Sequence, residues 1–126
     1  MMEDLRSKNR NKFEDLEVWK KAHQLTLMIY KITAKFPKEE RFRLGDQLRR
    51  SSSSVPTNIV EGNSRKYRKE FQQFLNTSKG SLEETKYHLL LAKDLGYLTS
   101  EDYDQLQTNC EEIGKMPSSL LRYLKS

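Results

Sequence analysis

At 126 residues the chain is the size of one domain, long enough to bury an apolar core without disulfides or a structural metal and too short for a second domain. Its single cysteine, Cys110, excludes an intrachain disulfide and metal sites of the paired-cysteine kind, and fits a reducing compartment. The start, Met1-Met2-Glu3-Asp4, carries no secretory run, and no stretch is apolar for the length a bilayer needs, so a cytoplasmic protein without a membrane partner is expected.

The net charge is +5, and it is unevenly placed. Residues 1–69 hold 17 basic and 9 acidic side chains, a net of +8, against 6 and 9, a net of −3, in residues 70–126. Such polarity suits an acidic partner such as nucleic acid on one side, or the packing of helices or subunits of opposite sign.

Residues 1–13, with Arg6, Lys8, Arg10 and Lys12 among polar neighbours, carry no apolar period and read as a flexible basic arm. From about Glu14 the pattern changes. Val18, Ala22, Leu25, Ile29, Ile32 and Phe36 recur at steps of three and four, the stripe of an amphipathic helix, which Pro37 ends.

A second helix is expected to start near Glu39 or Glu40, where carboxylates suit the N-terminal dipole, and to bury Leu44, Leu48, Ser51, Val55 and Ile59. The run Ser51-Ser52-Ser53-Ser54 resembles a linker in composition, yet the period continues across it. It therefore reads as a helix packed closely on a neighbour, bent at Pro56 and ended by Gly62-Asn63-Ser64.

The third helix keeps a heptad alternation through Phe71, Leu75, Ser78, Leu82, Thr85, Leu89 and Ala92, and Gly96 ends it with Tyr97 placed for a Schellman contact. The fourth opens on the capping spacing of Thr99 and Asp102 and carries Tyr103, Leu106, Cys110, Ile113, Pro117, Leu120 and Leu124 on its apolar face, with a kink or break expected at Pro117. Long amphipathic helices with short connections give an all-α fold, an antiparallel up-down-up-down four-helix bundle over residues 14–126.

Three stretches resemble a known family: Phe13-Glu14-Asp15-Leu16-Glu17-Val18-Trp19; Gln47-Leu48-Arg49-Arg50 with Pro56-Thr57-Asn58-Ile59-Val60-Glu61-Gly62; and Gly80-Ser81-Leu82-Glu83-Glu84 with Leu95-Gly96-Tyr97-Leu98. They are similar to the four-helix-bundle proteins encoded in intervening sequences of 23S ribosomal RNA, in order over roughly residues 13 to 125. The resemblance implies a ring-shaped homopentamer. It also implies distant kinship with the accessory protein of diversity-generating retroelements, which binds nucleic acid and a reverse transcriptase, an analogy of fold. The sequence departs from the pattern at Phe42-Arg43-Leu44, where Tyr-Gly-Leu is common, at the four serines, which replace an alanine-rich stretch, and at Pro117.

Arg65, Lys66, Arg68 and Lys69 stand at the expected start of the third helix, where cations oppose the macrodipole and a bound anion would relieve them. The competing reading is a solvated turn whose charges pair with Glu61 and Glu70. Arg43, Arg50 and Arg65 could form a row that tracks a nucleic-acid backbone. Arg49, Asn58 and Glu61 read instead as a structural polar network, in which Arg49 or Arg50 pairs with Glu61. Trp19, His23 and Tyr30 on the first helix, and Phe74, Tyr87 and Leu91 on the third, widen the apolar surface and either form an oligomer interface or close the edges of the core.

His23 and His88 are too few and too far apart for a metal cluster, and no nucleophile elbow or phosphate loop is present, so neither catalysis nor a cofactor is expected. Two functions remain: a non-enzymatic, oligomeric protein that binds RNA through its basic surface, or a protein-interaction scaffold that binds none.

Overall fold

The structure is a computed structural model that describes residues 12–125, the side chains of residues 118, 119 and 121–125 excepted. A 3-10 turn, Phe13–Asp15, leads into α1 (Glu17–Thr33), followed by a single turn, α2 (Lys38–Arg41), and three long helices, α3 (Leu44–Asn63), α4 (Arg68–Asp94) and α5 (Ser100–Lys125). No strand occurs among the described residues. The expected basic arm of residues 1–13 lies outside the described residues except for its last two, and of those Phe13 belongs to the 3-10 turn.

Each long helix runs opposite to its neighbours, as the pairing of side chains across the seams demonstrates. Between α1 and α3, Thr26 meets Ser52 and Thr33 meets Arg49; between α3 and α4, Ser51 meets Thr85, Ser54 meets Ser81 and Gly62 meets Phe71. On the remaining seams Lys86 meets Gln107 and Leu82 meets Gly114, while Met28 meets Asn109 and Lys21 meets Glu112. In every set one number rises as the other falls, so four helices close up-down-up-down around one core. That core is the predicted stripes: Val18, Ala22, Leu25, Ile29 and Phe36; Leu48, Val55 and Ile59; Phe71, Leu75, Leu82, Leu89 and Ala92; Leu106, Cys110 and Ile113 are all buried. Each large apolar side chain so buried contributes about 1.5–3 kcal/mol.

The serine run is helical, and its hydroxyls join helices instead of loosening them. Thr85 donates to the Ser51 hydroxyl at 2.8 Å, Ser78 to the Val55 carbonyl at 2.9 Å, and the Ser54 and Ser81 hydroxyls lie 2.8 Å apart. Pro56 sits inside α3 and offers no N–H to the Ser52 carbonyl one turn earlier. Thr26 of α1 fills that vacancy, donating to the Ser52 oxygen at 3.0 Å. Replacing Thr26 with valine keeps the shape and strands a buried carbonyl, so it is expected to lower stability by about 1–3 kcal/mol, read as a lower urea midpoint at unchanged slope.

The ends of α4 and α5 follow the predicted chemistry. Gly96, at φ 84°, lets its own N–H bond the Lys93 carbonyl at 2.9 Å and that of Tyr97 bond the Ala92 carbonyl at 2.8 Å, the two bonds of a Schellman motif. The Thr99 hydroxyl accepts from the Asp102 N–H at 3.0 Å. Two expectations are corrected. The second helix is split, because residues 38–43 offer no side chain to the core and Phe42 is 80% exposed, so the period restarts only at Leu44. No break occurs at Pro117, which is buried inside a helix that continues to Lys125.

Candidate nucleic-acid interface

The antiparallel order gathers the α3–α4 connection, the start of α1 and the late part of α5 at one end of the bundle. Gly62 makes the tight corner possible. A Cβ there would lie 2.8 Å from Phe71 Cδ1 and 2.9 Å from Phe74 Cβ, so only glycine lets α4 turn back so closely. The Ser64 hydroxyl donates to the Glu61 carbonyl at 2.7 Å and closes α3.

On this corner stand Arg65, Lys66, Arg68 and Lys69. The Arg65 guanidinium lies over the Phe74 ring at 4.8 Å and 3.8 Å from the Glu61 carboxylate, and Lys66 Nζ lies 5.2 Å from the Tyr67 ring centroid. Arg68 is half-buried as the first residue of α4, and Lys69 is exposed. Tyr67, the N-cap, supplies no side-chain capping hydrogen bond, and the helix of 27 residues opens on two cations, Arg68 and Lys69, with Glu70 as its one first-turn carboxylate. Backbone N–H groups, the positive end of the dipole and basic side chains converge there, the chemistry that holds phosphate.

Arg43 and Arg50 are elsewhere. Arg43 caps the opposite end of α3, about 30 Å from Arg65 by helix rise. The Arg50 side chain, 81% exposed, pairs with Asp46 at 3.3 Å. The six basic candidates therefore divide into two groups, one at each end of α3.

Arg49, Asn58 and Glu61 do not join in one network. Arg49, its side chain 20% exposed, turns toward α1, donating to the Thr33 hydroxyl at 3.0 Å and to the Arg41 carbonyl, with Asp46 at 3.8 Å and the Tyr30 ring at 6.0 Å. It thereby ties α1, α2 and α3 together. Twelve residues of helix, about 18 Å, separate it from Glu61, whose cation partner is Arg65. Asn58 donates to the Ser54 carbonyl at 2.8 Å and to its hydroxyl at 3.0 Å. Asp46, one turn before both arginines, is the sequence signal for this pairing.

The aromatic candidates also divide. Trp19 and His23 are half-buried and stacked at 4.9 Å with 8° between planes, and Phe13 meets Trp19 edge-on at 5.1 Å. Tyr30 is 52% exposed. On α4, Phe74 packs at the Gly62 corner, whereas Tyr87 is 58% exposed about 20 Å further along, and Leu91 packs against the core. Sequence reasoning missed Leu27, Leu90 and Leu95, which are exposed because they fall outside the core stripes.

Two clefts, of about 110 and 230 Å³, lie between α1 and α5. One holds the Lys21–Glu112 pair at 3.7 Å; the other, lined by Leu16, Val18, Met116 and Leu120, is apolar. Neither sets a nucleophile beside a base. His88 is buried against Glu84 at 3.3 Å. Burial pushes the Cys110 thiol up to about 12; Glu83 and Glu111 add to the rise and Lys86 opposes it. The native thiol is therefore expected to resist alkylation at pH 8–9 and to react at the rate of unfolding. Stability linked to it is full below about pH 8.5, where the unfolded thiol is protonated, and is lost as pH rises from there toward 12.

No described helix is long and apolar enough to cross a membrane. A model of the family described as 23S rRNA-intervening sequence protein matches residues 14–119. Among solved structures, a protein with unknown function from the S23 ribosomal protein family of Bacteroides thetaiotaomicron is 27% identical, with a TM-score of 0.77 over 83% of this chain and 95% of that one. No curated protein matches.

Proposed function

The chain belongs to the 23S rRNA-intervening sequence protein family, and from that premise we propose that it is a non-enzymatic, self-associating cytoplasmic protein that binds RNA through the cationic corner between α3 and α4. The observation that carries the reading is the convergence of Arg65, Lys66, Arg68 and Lys69 on the start of a 27-residue helix whose N-cap side chain makes no capping hydrogen bond. Such a site reads the phosphate backbone and not the bases, so its affinity falls with salt and varies little with sequence. Self-association into a ring of five is part of the same proposal, with Tyr87 and Leu90 on α4 and Leu95 at its C-terminal cap as exposed apolar contacts.

The experiment is salt-titrated binding of the whole chain to ribosomal RNA fragments and to unrelated duplex DNA, beside a light-scattering mass. Binding that weakens steeply with salt supports the corner, and a concentration-independent monomer removes the ring. The same exposed α4 residues favour a second reading, a scaffold for a protein partner. That reading expects no RNA retention near physiological salt and a partner protein still bound after nuclease treatment.

A further inference from the structure

Trp19, His23 and Tyr30 are four and seven residues apart and share one face of α1. That face flanks α3, because Thr26 beside it bonds Ser52 and Arg49 lies over the Tyr30 ring. Trp19 and His23 are already stacked with nearly parallel planes, and Phe13 braces Trp19 edge-on. Tyr30 continues the strip about 16 Å beyond Trp19. Alongside runs the outer side of α3, where Ser53 is half-buried and Thr57 exposed, both too small to obstruct a ligand lying across them. Cations stand at both ends of this helix, Arg50 near its start and Arg65 just past its finish.

Resting on the nucleic-acid reading above, we propose that the α1–α3 face is a track for single-stranded nucleic acid. Unpaired bases stack on the strip of His23, Trp19 and Tyr30, and the phosphates run between Arg50 and the Arg65 corner. The aromatic strip is what selects a single strand. A duplex buries its base faces in its own stack and can offer only phosphates, whereas an unpaired strand offers both. Asp46 and Glu61 already hold the two arginines, but exposed ion pairs of this kind are weak and a phosphate competes with them readily.

Trp19 is the only tryptophan of the chain, so its emission reports on the strip alone. The test titrates the full chain with a single-stranded RNA of about twelve nucleotides and with the same strand annealed to its complement. The single strand is expected to bind about tenfold more tightly and to quench Trp19. Tyr30→Ala and His23→Ala are each expected to weaken single-strand binding by about 5- to 100-fold, with duplex affinity, helicity and salt slope unchanged. His23 is half-buried, so the exposed Tyr30 decides the matter if His23→Ala fails to fold. Equal affinity for both probes, with steady emission and less than about a twofold effect of Tyr30→Ala, overturns the track and leaves the backbone reading standing. Binding of neither probe overturns both. An emission change that follows protein concentration without RNA assigns the strip to a second copy and also overturns the track.

Discussion

Replacing Gly62 with valine is expected to destabilise the protein by about 3 kcal/mol or more, and even alanine there should cost stability. The first added carbon would stand 2.8 Å from the Phe71 ring, which is fully buried and has nowhere to move, and 2.9 Å from the Cβ of Phe74, which is fixed to the backbone of α4. Relief requires the two helices to part at their tightest point. Gly80, in the middle of the same α4, is the control, since a Cβ there meets nothing within 4 Å. Gly80→Ala should gain about 1 kcal/mol of helix propensity, so two glycine-to-alanine changes are expected to have opposite signs. Urea denaturation of both variants decides it, and a stabilising Gly62→Ala would contradict the close approach of α3 and α4. Gly62→Ala combined with Phe71→Leu should cost less than the two changes separately, because the smaller side chain can yield to the new methyl.

The second large effect concerns binding. Converting Arg65, Lys66, Arg68 and Lys69 to glutamine is expected to weaken RNA binding and to make the plot of log affinity against log salt shallower by about 3, at roughly 0.7 for each single-strand phosphate left without its cation. Helicity should hold, because Arg65 and Lys66 lie between the helices, Lys69 is exposed, and none of the four belongs to the buried apolar core. Glutamine keeps most of each stem, so the side chain at position 65 gives up its charge over the Phe74 ring and little of its packing. An unchanged slope would remove the corner as the phosphate site, whatever the affinity of the whole protein.

The helices were legible because burial here follows period so closely. Leu44, Leu48, Ser51, Val55 and Ile59 are all buried as the spacing predicts, serine included, since the period places a residue against a neighbour regardless of its type. The Gly96 and Thr99 ends were legible for a different reason: each is local chemistry within a few residues. What was not legible depends on partners distant in sequence. Thr26 as the donor that answers Pro56 could not be foreseen, because the two residues are thirty apart and meet only through the crossing of α1 and α3. Along the sequence Asp46, three residues earlier on the same helix, is the legible partner for Arg49, whereas its hydroxyl partner, Thr33, lies on another helix. The division of the six basic residues between two ends of α3 likewise needs the fold, since it follows from where the helix starts and stops.

The corner itself was visible as four cations in five positions beside a glycine, and the structure adds the reason the glycine is required. The unbroken passage of α5 through Pro117 runs against local propensity, with the proline buried next to Met116, which lines the apolar cleft with Leu16, Val18 and Leu120.

Mapping of backbone amide shifts on the labelled protein during titration with a ribosomal RNA fragment is the most direct trial of the phosphate corner. The largest movements are expected at residues 65–70, fading as salt is raised. Shifts confined to the exposed α4 residues Tyr87 and Leu90, with residues 65–70 unmoved at low salt, would contradict it.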